Sequence, residues 1–158
     1  MAKAIPEGYR SVTPTLTFKD TQKAIDFYKK AFGAKVTGVF QNLNGPGIMH
    51  ATIQIGDSVI MMGDEMQGEH CSKSVESMGG SPTGFFIYVP DVDAAYKQAV
   101  AAGATAGMPV MDQFWGDRAG QVRDPFGYSW MIATHKQDLT DAQIRKNAEA
   151  FFAQMAKK

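Results

Sequence analysis

A chain of 158 residues, 44% hydrophobic and 20% charged, has the length and composition of one ordinary soluble domain. Sixteen basic residues balance sixteen acidic ones, which removes the basic excess that a nucleic-acid partner would require. Cys71 is the only cysteine, residues 1–10 lack the apolar run of a secretion signal, and no stretch approaches the roughly 18 apolar residues of a membrane span, so the expected location is cytoplasmic, with no disulfide and no membrane partner.

The first element is a strand over Ser11–Phe18, where Val12, Leu16 and Phe18 alternate among threonines. Asp20 and Thr21 then offer capping oxygens. Ala24, Ile25, Tyr28, Ala31 and Phe32 recur at helical spacing up to the stop at Gly33, which predicts a helix over Thr21–Phe32. Three strands follow: Lys35–Asn42, then Ile48–Ile55 beyond the turn at Asn44–Gly47, then Ser58–Met62 across a tight Gly56-Asp57 hairpin. Residues 64–82 show no periodicity and read as a linker that also borders a pocket.

The pattern then begins again. Thr83–Val89 reads as a strand, and Asp91 caps a helix carrying Val92, Ala95, Tyr96, Ala99 and Val100, closed by Gly103. Ala106–Asp112 reads as a weak strand, Gln113–Arg123 as a polar and aromatic one, and Tyr128–Thr134 as the last strand beyond the Asp124–Gly127 turn. Thr140 and Gln143 form a capping box for a final helix over about 140–157, whose Ile144, Ala148, Phe151, Phe152 and Met155 make one apolar stripe that needs cover.

One shift relates the two halves. Asp20 and Asp91 stand 71 residues apart, as do Gly56 and Gly127. The expected architecture is therefore a single α+β domain made of two βαβββ modules, about 11–63 and 83–135, joined by the 64–82 linker and followed by the terminal helix.

Phe27-Tyr28 and Ala31-Phe32-Gly33-Ala34 closing the first helix, together with the duplicated pattern, resemble the vicinal oxygen chelate (glyoxalase/bleomycin resistance/dioxygenase) superfamily over about residues 11–135. Trp115-Gly116-Asp117-Arg118, Val122 to Gly127, and His50-Ala51 leading to Ile55-Gly56-Asp57-Ser58 are similar to its PhnB-like branch. The resemblance implies curved mixed sheets around a cup, homodimers, and a small-molecule ligand. In the superfamily's enzymes it also implies a divalent metal held by the first and last strands of each module.

Carried over, the metal positions fall on Thr13, Gly84, Met131 and either Ile60 or Met61, none of which suits a hard or borderline cation. The function expected is small-molecule binding in a cup with no cofactor. The alternatives are a metal-dependent lyase or isomerase of glyoxalase type, a dioxygenase-related enzyme, and an antibiotic-sequestering dimer.

The candidate ligand contacts are His50, Gln54, Met61, Phe114, Trp115, Arg118 and Trp130. The histidine suits a cup-lining base or hydrogen-bond donor. The Arg118 fork suits a carboxylate or phosphate, with Asp117 orienting it. Met61 and the aromatic residues suit a flat or apolar molecule. No catalytic residue emerges. His135 reads as a surface residue, and Glu65, Glu69, His70 and Cys71 in the linker form no known cage.

Overall fold

The structure is a computed structural model and describes residues 2–68 and 71–156. Its elements run β1 (Thr15–Phe18), α1 (Thr21–Phe32), β2 (Lys35–Gln41), β3 (Ile48–Ile55), β4 (Ser58–Asp64) and α2 (Val75–Met78). They continue as β5 (Gly84–Tyr88), α3 (Val92–Ala101), β6 (Thr105–Ala106), β7 (Met111–Asp112), β8 (Asp117–Arg123), β9 (Ser129–His135) and α4 (Asp141–Met155).

The strands form two mixed sheets, ordered β1-β4-β3-β2 and β5-β9-β8-β6, with β7 also on β8. In each sheet the first and last strands of a module pair in parallel, Thr15 with Met61 and Gly84 with Ser129, while the remaining neighbours are antiparallel. This is the α+β class expected from the sequence, including the terminal helix.

Local chemistry sets the boundaries. The Asp20 carboxylate accepts from the Lys23 amide, and the Asp91 carboxylate accepts from the Ala94 amide. Gly33 closes α1 in the left-handed region at φ 65°, where a side chain would be strained. In the second module α3 stops one residue before the expected glycine, on Ala102 in ordinary helical geometry.

Four sequence expectations shift, among them the strand over Gln113–Arg123, which begins only at Asp117 because residues 113–116 turn, the Gly116 amide donating to the Gln113 carbonyl. The first strand shortens to Thr15–Phe18, because Val12 lies 84% exposed with no sheet to join. The weak strand over 106–112 breaks into β6 and β7 around Gly107-Met108-Pro109, since Pro109 has no N–H to donate. The linker is not wholly irregular, because Ser74 caps α2 through the Ser77 amide. Residue 157, the expected end of the last helix, lies outside the described residues.

Register assigns the faces. Leu16, Phe18, Ile53, Ile60 and Met62 of the first sheet, and Phe85, Ile87, Trp130 and Ile132 of the second, all enter one core with Tyr28 of α1 and Val92 of α3. Phe18 meets Phe126 and Tyr128 edge-on, at centroid distances of 5.2 and 5.7 Å, where the modules join. Burying such rings contributes roughly 1.5–3 kcal/mol each. Both sheets thus turn their helix-bearing faces inward and leave their opposite faces outward.

Candidate functional site

On the outward face of the first sheet, Thr15 and Thr52 flank Met61 in register, followed along β3 by His50 and Gln54. The Thr15 hydroxyl lies 3.7 Å from the Met61 sulfur. His50 Nε2 is 3.1 Å from the Thr52 hydroxyl, and the Gln54 amide donates to the Gly56 carbonyl at 3.1 Å. A hollow of about 180 Å³ at one end of this face is lined by Thr15, Thr17, Met49, His50, Met66 and Cys71. Three of the expected contacts, His50, Gln54 and Met61, therefore share one surface of soft and hydrogen-bonding groups.

The outward face of the second sheet carries Phe86, Tyr88, Met131 and Gln121, with Asp117 opposite His135 at its end. Asp117 has a side chain only 2% exposed. It accepts from the Tyr88 hydroxyl at 3.0 Å, the Trp115 indole at 2.8 Å and His135 Nδ1 at 2.8 Å. Desolvation raises its pKa, but the bonds from His135, Trp115 and Tyr88 outweigh that and hold the carboxyl below its ordinary value. The same bond to Asp117, followed by one to Asp138, raises the pKa of His135. Desolvation, and then Asp117, raises that of the Tyr88 phenol.

This cluster was not legible in the chain, where Asp117 read as a partner for Arg118. Tyr88, Asp117 and His135 come from three strands, and only the register of β5, β8 and β9 unites them.

The other expected contacts lie elsewhere. Arg118 sits on the opposite face of β8, where its guanidinium clasps Asp93 of α3 at 2.8 and 2.9 Å and reaches Asp112 at 3.2 Å. Each of its three nitrogens is engaged within the fold. Those bonds lower the Asp93 carboxyl and raise the guanidinium further. Trp130 is buried in the core with its indole donating to Asp124 at 2.9 Å. Phe114 packs against Phe151 and Phe152 of α4, each at a centroid distance of 5.7 Å. The seven residues are thus distributed over both outward faces, the helix-bearing side of β8, the core and the tail contact.

The positions implied for a metal do not fit one. Thr13 precedes β1 and its hydroxyl donates to the Arg10 carbonyl. Gly84 has no side chain, and Ile60 points into the core. Met61 and Met131 offer only thioethers, which hard and borderline cations do not favour. Among the described residues no group of three or more His, Cys, Asp or Glu side chains could hold a metal ion. Glu65 is instead engaged in the linker, accepting from the Ser74 amide and the Ser77 hydroxyl, each at 2.8 Å; the Ser74 side chain and amide, then the Ser77 hydroxyl, lower its pKa to about 2. Glu69 and His70 lie outside the described residues.

Two mixed sheets around duplicated βαβββ units define a vicinal-oxygen-chelate architecture. A family model described as Glyoxalase/Bleomycin resistance protein/Dioxygenase superfamily matches residues 11–132, and the chain belongs to that superfamily. An uncharacterized protein of Mycobacterium tuberculosis is 36% identical over 137 residues, covering 85% of this chain and 80% of that one. The crystal structure of TioX from Micromonospora sp. ML1 is similar at 28% identity and TM-score 0.60, covering 83% of this chain and all of that one. A PhnB protein from Bacillus cereus shares the fold at 17% identity and TM-score 0.61, covering 79% and 99% of the two chains.

Proposed function

We propose that this protein binds a small organic molecule in a cup built on its outward sheet faces, without the divalent ion that serves the superfamily's enzymes. A second copy of the chain completes the cup. One observation carries the reading: the first sheet presents Thr15, His50, Thr52, Gln54 and Met61, and the second presents Phe86, Tyr88 and Met131, on faces turned away from the core. Phe86 and Tyr88 remain 48% and 64% exposed in the single chain.

Thioether and aromatic groups supply an adaptable apolar wall, while His50, Thr52 and Gln54 supply directional hydrogen bonds, the usual division of labour in a ligand cup. The Trp115–Arg118 motif supports placement in the PhnB-like branch. The single cysteine fits a reducing compartment, so the cytoplasm is the proposed location. No helix among the described residues is long and apolar enough to cross a membrane.

The test joins light scattering with titration of the dye 8-anilinonaphthalene-1-sulfonate, before and after Met61→Glu. A dimeric mass and a dye signal reduced at least about ten-fold by the substitution, near 1.4 kcal/mol, are expected. A monomer whose dye binding ignores Met61 would refute the reading. Turnover of a hemithioacetal with added nickel, zinc or manganese would favour the glyoxalase-type alternative. Calorimetric binding of bleomycin without turnover would favour antibiotic sequestration.

A further inference from the structure

The duplication is unequal where the modules meet. At one junction Phe18, Tyr28, Phe126 and Tyr128 fill the space with aromatic rings. Their counterparts, 71 residues away in the other module, are Val89, Ala99, Ile55 and Asp57. Every ring is replaced by a smaller side chain. A cleft of about 780 Å³ opens there, with Val89, Ile55 and Asp57 in its lining and Phe32, Phe85 and Trp130 as an aromatic wall.

The backbone repeats the asymmetry. Along β1 the carbonyls of Pro14, just before it, and Phe18 accept from the amides of Met61 in β4 and Glu65 just past it, so by alternation the N–H and C=O of Thr17 point off the sheet's free edge. The Tyr128 hydroxyl meets both, accepting from the Thr17 amide and donating to the Thr17 carbonyl, each at 3.3 Å. Tyr88 is the counterpart of Thr17 on β5, also an edge strand. The Val89 amide donates to Ala133 of β9, so the backbone groups of Tyr88 and Phe86 point off the free edge. Asp57, standing where Tyr128 stands in the other module, carries its carboxylate into solvent beside Ser58. Among the described residues nothing bonds the outer amide of Tyr88.

We propose that this cleft is a second binding site, for a small aromatic molecule bearing a phenolic hydroxyl. Such a ligand sets its ring against Phe32 and Phe85, which cover the buried Trp130, and its hydroxyl on the edge groups of Tyr88, reproducing what Tyr128 does for Thr17. The volume lies in the range of small-molecule sites, roughly 300–1,000 Å³. Trp130, Phe85 and Ile60 reach it from the inward sides of the sheets, so the site shares only the β5 edge at Phe86 and Tyr88 with the outward cup.

The probe is p-cresol, the tyrosine side chain as a free molecule, with toluene as its hydroxyl-free counterpart. Nitrogen-labelled full-length protein resolves the indole signals of Trp115 and Trp130 and the amides of Phe86 and Tyr88. Titration with p-cresol is expected to shift Trp130, Phe86 and Tyr88 and to leave Trp115 and the His50 region unmoved. Toluene should bind about five-fold more weakly, the worth of one net hydrogen bond.

Asp57→Tyr supplies the missing plug, so it should reduce p-cresol affinity at least about ten-fold and raise the melting temperature, while Asp57→Ala keeps the wild-type affinity. If Asp57→Tyr does not fold, Ala95→Phe narrows the same cleft from α3 and should weaken p-cresol equally. Absence of any shift at Trp130 and Tyr88 would overturn the proposal. So would p-cresol binding that is indifferent to both substitutions, or amides of Phe86 and Tyr88 already protected by a second copy.

Discussion

The Tyr28 hydroxyl donates to the Asp124 carboxylate across 2.6 Å, joining the first helix to the turn after β8 within the buried core. Asp124 also accepts from the Trp130 indole and from the amides of Phe126 and Tyr128. Burial nonetheless pushes its pKa up, against all four bonds, and raises the Tyr28 phenol strongly. Tyr28→Phe keeps the ring and removes one donor, so it should cost about 1–3 kcal/mol, because the carboxylate stays buried with a vacant lone pair. Urea denaturation measures this; a loss below about 0.3 kcal/mol would show that the bond does not hold the modules together.

The pKa of His135 is raised in the folded state, first by Asp117 and then by Asp138. Its stabilising contribution is therefore complete below the unfolded value of about 6.5 and fades as pH rises through the higher folded value. The difference in melting temperature between the protein and His135→Gln should be largest near about pH 6 and shrink toward about pH 9. A gap that widens with pH would mean that the ring is held neutral.

Arg118→Lys should lower the melting temperature only slightly, since the pair with Asp93 is partly exposed and screened. Ligand affinity in the cup should not change. A large loss of affinity with stability intact would return Arg118 to the binding surface.

Removing residues 140–158 strips Phe151 and Phe152 from Phe114 and breaks the bond from the Asn147 amide to the Phe114 carbonyl. The truncated chain should melt earlier or lose its dimeric mass. The same mass and the same melting temperature would make the helix dispensable.

What was legible in the sequence was whatever depends on neighbours. The Asp20 and Asp91 caps, the Thr140–Gln143 capping box and the repeated spacing of 71 each rest on residues a few positions apart or on plain repetition. The short helix after Ser74 was hidden because one turn has no periodicity to detect.

The site was harder to read. His50, Gln54 and Met61 come together because strand alternation and one hairpin decide their face, both local matters. Arg118 could not be read the same way, because its partner Asp93 arrives from α3, 25 residues earlier, and nothing in Trp115–Arg118 announces it. Asp117 likewise takes its donors from two strands as well as from Trp115, and the inequality of the two junctions emerges only when the halves are overlaid.

The most direct test of the metal-independent cup is ion retention. Protein incubated with nickel, zinc and manganese is passed through gel filtration and then analysed for bound elements. Far less than one ion per chain is the result expected from Thr13, Gly84, Met61 and Met131; one tightly held divalent ion per chain would contradict it.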